Sequence, residues 1–261
     1  MTALFEDIIF GPIQSRRLGV SLGVNLLPQY AKICNFDCIY CECGSNRERR
    51  GEAAQRRFAK AEDVEFHLRG VLSDMKREGR TLDVITFAGN GEPTLHPHFE
   101  SIIDMAIDLR DKLAPQTKIS VLSNATTLDR DGVIRALHRV DNNILKLDSA
   151  IGAMAHKINR PTGHYSTEGV VDQMSRHFGG ECVVQSMFLR GVLAGEPFDN
   201  SGEEYLTAWL AALRRISPRQ VMIYSLDRDT PCEGLERLSH EELERIAQRV
   251  TAELSIDCRF A

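Results

Sequence analysis

The chain has 261 residues, 43% of them hydrophobic and 26% charged, with 32 Lys and Arg against 37 Asp and Glu for a formal net charge of −5. That length suits one domain spanning residues 1–261, and the acidic balance excludes a general electrostatic field for nucleic acid. No apolar run approaches the roughly 20 residues that cross a bilayer, and the opening MTALFEDIIFGPIQSRR carries acids where a signal peptide carries bases; a cytoplasmic protein with no membrane partner is expected.

Apolar runs with strand character recur at 18–27, 83–88, 118–122, 143–147, 182–189 and 220–226. Stripes of helical period lie between and after them. In chain order they run through Val64, Leu68, Val71, Leu72 and Met75; Ile102, Ile103, Ala106, Leu109 and Leu113; Val133, Ile134 and Leu137; Val170, Val171, Met174 and Phe178; Leu206, Trp209, Leu210, Leu213 and Ile216; and Leu243, Ile246, Val250 and Leu254. Strand alternating with helix six times predicts parallel strands with right-handed crossovers. Six units fall short of a closed eightfold barrel, so the fold class is α/β, a partial (β/α)6 parallel barrel. Ligands of such folds sit in the loops after the strands.

The first of those loops reads CNFDCIYC and carries Cys34, Cys38 and Cys41, with Cys43 two residues on. Seven cysteines, an odd number and four of them within ten residues, do not read as a disulfide framework. A structural zinc would need a fourth ligand; Cys43 is cramped against Cys41, and no second C-x2-C pair exists. Three thiolates suffice for a [4Fe-4S] cube with one open iron. Cys43 is then a bystander, and Cys182, Cys232 and Cys258 read as free buried thiols. The stretch Arg47, Arg49, Arg50, Arg56 and Arg57, with Glu48 and Glu52 interspersed, reads either as a solvated linker or as a phosphate-contacting patch.

CNFDCIYC, with an aromatic before the last cysteine, resembles the cluster motif of the radical S-adenosylmethionine (SAM) superfamily, and the strand–helix units extend the resemblance over nearly the whole chain. The resemblance implies a [4Fe-4S] cluster on Cys34, Cys38 and Cys41 with SAM chelating the open iron. It further implies reductive cleavage of SAM to methionine and a 5′-deoxyadenosyl radical, which abstracts hydrogen from a substrate. A low-potential electron donor such as flavodoxin or ferredoxin is implied as partner. TFAGNGEPTLHP after the second strand matches the last three residues of the family's GGEP motif in Gly91, Glu92 and Pro93, with Asn90 in place of the first glycine. These four are implied SAM contacts, Glu92 as acceptor for the ammonium, although the same residues also read as a turn with an acid at a helix start.

Ser123 and Asn124 after the third strand are implied contacts of the methionine moiety, or a helix N-cap. Asp148 and Ser149 after the fourth resemble the ribose-binding strand end, and Lys146 shares a face with Asp148. The resemblance implies that the backbone of Tyr40 approaches adenine. Gln185 and Arg190 on the fifth strand, and Met222 and Tyr224 on the sixth, are candidates for the pocket wall.

FGPIQSRRLGVSLGVNLLP together with TFAGNGEPTLHP looks like the subgroup of small Fe–S oxidoreductases near the wyosine-tRNA synthetases. That likeness makes a tRNA base or nucleotide-like molecule the candidate substrate. A second three-cysteine set and a cysteine-rich extension are both missing, so a peptide or small metabolite stands as the alternative, and a non-catalytic metal-binding module as the remote one. The donors His156, Lys157, Asn159, Arg160, His164 and Tyr165 read as a wall for an anionic substrate or as a solvated loop. Arg16 and Arg17 precede the first strand, and Asp227, Arg228, Asp229 and Thr230 form the rim after the sixth.

Overall fold

The chain enters through a hairpin that the sequence reading did not foresee, β1 (Ile9–Ser15) antiparallel to β2 (Gly19–Val24). The computed structural model describes residues 4–15, 18–46, 57–228 and 230–261. Arg16, Arg17, Arg47, Glu48, Arg49, Arg50, Glu52, Arg56 and Asp229 lie outside the described residues.

From β2 onward strand alternates with helix. The elements are α1 (Ala61–Arg77), β3 (Val84–Phe87), α2 (Phe99–Leu113), β4 (Lys118–Ser123), α3 (Asp131–Arg139), β5 (Asn142–Lys146), α4 (Gly152–Asn159), α5 (Thr167–Phe178), β6 (Val183–Met187), β7 (Leu189–Leu193), β8 (Glu196–Asp199), α6 (Glu203–Ile216), β9 (Gln220–Tyr224), β10 (Leu235–Arg237), α7 (His240–Leu254) and β11 (Asp257–Phe260). The large sheet has the order β1-β2-β3-β4-β5-β6-β9-β11, parallel at every pairing from β2 to β11. It curls into a half-barrel with β1 and β11 at its two ends. The six expected units are present, and β11 adds a seventh parallel strand.

The central strands are rich in apolar residues because both faces are covered: all four residues of β3 and all five of β6 are buried. The helices show the complementary pattern. In α1, Val64, Leu68, Leu72 and Met75 are buried on one face, with Glu62 and Asp63 in the first turn and Lys76 and Arg77 in the last, as the helix dipole favours. Trp209 of α6 is 1% exposed, packs edge-on against Phe188 at 5.1 Å and donates from Nε1 to Ser186 Oγ at 3.0 Å, tying helix to sheet. A second core sits apart from the main one, beneath the cysteine loop, where Phe36, Ile39 and Tyr40 pack with Met154, Ile158, Met187, Leu189 and Phe198.

Two expectations fail here for physical reasons. Residues 156–159, read as part of a donor-rich loop, belong to the short helix α4, whose buried Met154, Ala155 and Ile158 recur at helical spacing over only eight residues. The run 182–189 is not one strand. It breaks at Phe188, and β7 leaves the barrel to pair with β8 and β10 in a separate antiparallel sheet.

His96 fastens the start of α1 to the loop after β3. It is 1% exposed; Nε2 donates to Ala59 O at 2.8 Å, and Nδ1 accepts from the His98 N–H at 3.1 Å. Burial lowers its pKa, with the Ala59 bond working the other way. A depressed histidine contributes stability above its ordinary pKa, and that contribution is lost as pH falls below it. The unfolding midpoint in urea should therefore drop between pH 7.5 and 5 more steeply for the wild type than for His96→Gln; equal slopes would contradict the assignment.

Candidate active site

Cys34, Cys38 and Cys41 line one cavity of about 270 Å³ at the carboxyl ends of the parallel strands. Their loop is fastened on two sides. On one side it pairs with the end of β3: the Ile33 N–H donates to Asn90 O at 2.9 Å, and the Glu92 N–H donates to Ile33 O at 3.0 Å. Gly91 lies between them at φ 135°, and a Cβ there would collide with the Ile33 carbonyl. The glycine serves the chain's own close approach. On the other side the loop meets the end of α4, through Asp37 N–H to Asn159 O and Ile39 N–H to Ile158 O, both 2.9 Å.

Asn90, the departure from the family's glycine, has a structural reason. Its side chain donates to Phe5 O and Pro28 O, both at 2.9 Å, and accepts from the Phe5 N–H at 2.8 Å, so it clamps two segments that a glycine would leave untied. Glu92 is both a cap and part of the cavity wall. It is 2% exposed and accepts from Thr94 N at 3.1 Å, Thr94 Oγ1 at 2.6 Å and Asn124 N at 2.7 Å. Pro93 opens a single 3-10 turn, Pro93–Leu95. Ser123 and Asn124 line the cavity and do not cap α3, whose N-cap is Arg130. They form a tight turn, Ser123 Oγ accepting from Ala125 N and Asn124 Oδ1 from Thr126 N, each at 3.1 Å.

Tyr40, Gly91, Glu92, Ser123, Asn124 and Tyr224 thus meet around the three cysteines, with Lys146 and Gln185 beside them. Asp148 and Ser149 are buried behind this wall, and Met222 packs with Ile144 and Val183. Asp148 is already committed: it accepts from the Tyr40 hydroxyl, from Asn159 Nδ2 at 2.6 Å and from Met187 N at 2.9 Å, and it pairs with Lys146 at 3.3 Å. Arg190 lies elsewhere. On β7 it binds Glu242 at 2.7 Å and borders a different cavity, because the chain has turned away from the barrel at Phe188. Much of the donor-rich segment is also occupied, His156 Nδ1 by Gly152 O, Lys157 by Glu196 and Arg160 by Cys232 Sγ.

The radical SAM superfamily model matches residues 29–197. The chain belongs to the radical SAM superfamily. Among curated relatives it is similar to a UPF0026 protein of Helicobacter pylori, 29% identical over 90% of this chain and 71% of that protein, and to one of Methanocaldococcus jannaschii, 30% identical over 71% and 55%. It is also 27% identical to a Brachyspira hyodysenteriae protein named GTPase Obg, over 95% of this chain but only 34% of that protein, so it spans about a third of that relative. Among solved structures it is similar to a radical SAM methyltransferase from Sphaerobacter thermophilus (TM-score 0.66, 14% identity, 92% of this chain and 65% of that one). A second is TYW1 with a lysine-pyruvate adduct (0.60, 13%, 90% and 74%). A third is Streptococcus suis SuiB bound to its precursor peptide SuiA (0.63, 12%, 89% and 47%). These structural likenesses show the fold.

The superfamily's cofactors are a [4Fe-4S] cluster and SAM. The donor set fits them. All seven cysteines are free thiols. Among the described residues no three His, Cys, Asp or Glu side chains converge on a single metal ion; zinc takes convergent ligands, whereas a cube takes one thiolate at each of several irons. Two of the three sulfurs also have a donor. Cys34 Sγ accepts from Phe36 N at 3.4 Å and Asn124 Nδ2 at 3.7 Å, and Cys38 Sγ from Asn159 Nδ2 at 3.4 Å.

Burial raises the Cys34 and Cys38 thiols, Cys38 to about 11, so these thiolates form readily only against a cation such as iron. Cys41 is lowered, first by the Cys43 hydrogen bond and, against burial, by the Lys32 charge. Burial raises Glu92 despite its hydrogen bonds, which makes it a carboxylate suited to an ammonium partner in the cavity. Lys146 is raised: burial opposes its charge, but Asp148 and then Tyr224 outweigh it. Lys32 and Asp37 went unnoticed as site residues in the sequence, and Asn159 was read only within the donor-rich wall; Lys32, two residues before Cys34, offered only proximity as a signal.

Replacing Gly91 by Ala forces the cysteine loop off β3. Iron bound after anaerobic reconstitution should fall well below that of the wild type, with far-UV circular dichroism unchanged and stability lower by roughly 1–3 kcal/mol. Full iron loading in Gly91→Ala would show that the backbone pairing is not what holds the loop.

Proposed function

We propose that Cys34, Cys38 and Cys41 each ligate one iron of the cluster and that SAM lies in the adjoining cavity against Gly91, Glu92, Ser123 and Asn124, with Tyr40 and Tyr224 bordering its adenosyl end. When bound, cluster and SAM together supply one-electron reductive cleavage to methionine and a 5′-deoxyadenosyl radical that takes a hydrogen atom from a substrate C–H bond. The supporting observation is that three free cysteines and a buried carboxylate meet on one cavity at the strand ends of a radical SAM chain.

This chain's own residues do the holding. The Glu92 carboxylate, fixed by Thr94 and the Asn124 N–H, receives the ammonium of SAM. Phe36, Leu122 and Met187 give the cavity apolar walls that exclude water from a reactive carbon centre. Asn90, Pro93, Asp148 and Ser149 support these walls from behind, and Arg190 takes no part. Lys146, its charge maintained by Asp148, stands at the cavity as a cation beside the rings of Tyr40 (5.1 Å) and Tyr224 (6.0 Å).

The narrower proposal is a tRNA base or nucleotide-like substrate, with flavodoxin or ferredoxin as electron donor. The similarity of FGPIQSRRLGVSLGVNLLP and TFAGNGEPTLHP to the wyosine-synthetase-like subgroup supports it, as does a tyrosine-lined wall that suits a flat base. The net charge of −5 favours the second reading, the same chemistry on a peptide or small metabolite.

The reconstituted protein, given SAM and a strong reductant without oxygen, should form 5′-deoxyadenosine, and Cys38→Ala should form at most a few per cent as much. Product undiminished in Cys38→Ala would overturn the ligand assignment. For the narrower proposal, tRNA should bind at low salt and be released as salt rises; no binding at low salt would leave the small-substrate reading in its place.

A further inference from the structure

Lys32 is an unusual place for a positive charge. It is 4% exposed, and its Nζ donates to Gly44 O at 2.9 Å and meets Asp37 Oδ1 at 3.4 Å. Asp37 is drawn on elsewhere too, accepting from Asn46 N at 2.7 Å and Ser45 Oγ at 3.1 Å. One carbonyl and one shared, distant carboxylate are thin compensation for a buried ammonium. Beside it are sulfurs: Lys32 lines the same cavity wall as Cys34, Cys38 and Cys41.

A cube held by three thiolates is anionic, and reduction adds one more negative charge to it. A fixed positive charge close by, in a medium of low dielectric, stabilises the reduced form more than the oxidised one. We propose that Lys32 is a positioning residue for the electron, a permanently buried cation beside the cysteine sulfurs that makes the cluster easier to reduce. The cluster gains one electron from a low-potential one-electron donor. No bond forms or breaks in that step, and Lys32 keeps its proton throughout. The inference rests on Cys34, Cys38 and Cys41 as the ligands. A purely structural role, fastening Gly44 to the loop, would need the hydrogen bond alone and not the charge.

The test is the midpoint potential of the anaerobically loaded full chain, followed by electron paramagnetic resonance during titration with titanium(III) citrate, with iron and sulfide counted in every sample. Lys32→Gln keeps a donor and loses the charge; its potential should move to a more negative value. Lys32→Arg keeps the charge and should titrate near the wild type. Asp37→Asn removes the opposing charge and should move the potential in the positive direction. A fully loaded Lys32→Gln at the wild-type potential, or Lys32→Arg shifted as far as Lys32→Gln, would overturn the proposal. Should Lys32→Gln fail to take up iron, Asp37→Asn decides, and an unchanged or more negative potential there overturns it. Failure of the ligand assignment would look different: a wild type that takes up no cluster, or Cys34→Ala that keeps it whole.

Discussion

Two backbone hydrogen bonds carry this site. Through Ile33 and the Asn90–Glu92 turn the cysteine loop is joined to the end of β3 as though it were one more strand of the barrel. The pairing brings Cys34 and Glu92 to the same cavity and is possible only because residue 91 has no side chain. Around it the structure adds supports that serve the same end. Asn90 ties the turn to residues 5 and 28, the end of α4 holds the loop's other edge, and a small apolar core fills the space beneath.

The buried charges follow from that geometry. A loop of thiols at strand ends has little water around it, so burial pushes Cys34 and Cys38 toward the protonated form, and a cationic partner is required for them to ionise. Lys32 supplies one positive charge from the loop itself. On the far wall Lys146, Asp148, Tyr40 and Asn159 form a closed network in which each polar group has a partner, and Asn159 reaches from it to Cys38. The cavity therefore lies between two fixed ammonium groups, with Glu92 as its buried acceptor.

Much of this could be read from the sequence, and the exceptions have physical causes. Strands covered on both faces announce themselves as apolar runs, and long helices by their stripes, so the six units and the cysteine and Gly-Glu-Pro loops were legible. β1 is largely exposed, β10 and β11 have three and four residues, and α4 has eight, too short for a period to stand out. Arg190 was misplaced because nothing in an apolar run marks where a strand leaves one sheet for another. Lys32 escaped notice because a single polar residue carries no pattern; only tertiary contact reveals what it touches. Gly91 was recognised only as part of the Gly-Glu-Pro motif, and the backbone its smallness admits is the protein's own.

At the centre of the site stands the proposal that Cys34, Cys38 and Cys41 hold the cluster and that Glu92 receives the ammonium of SAM. Pulsed electron paramagnetic resonance of the reduced protein, with SAM labelled with 15N at its amino group, tests this directly. A hyperfine coupling between that nitrogen and the cluster, weakened in Glu92→Gln, is the predicted result. A cluster signal that shows no coupling and does not change when SAM is added would contradict the claim.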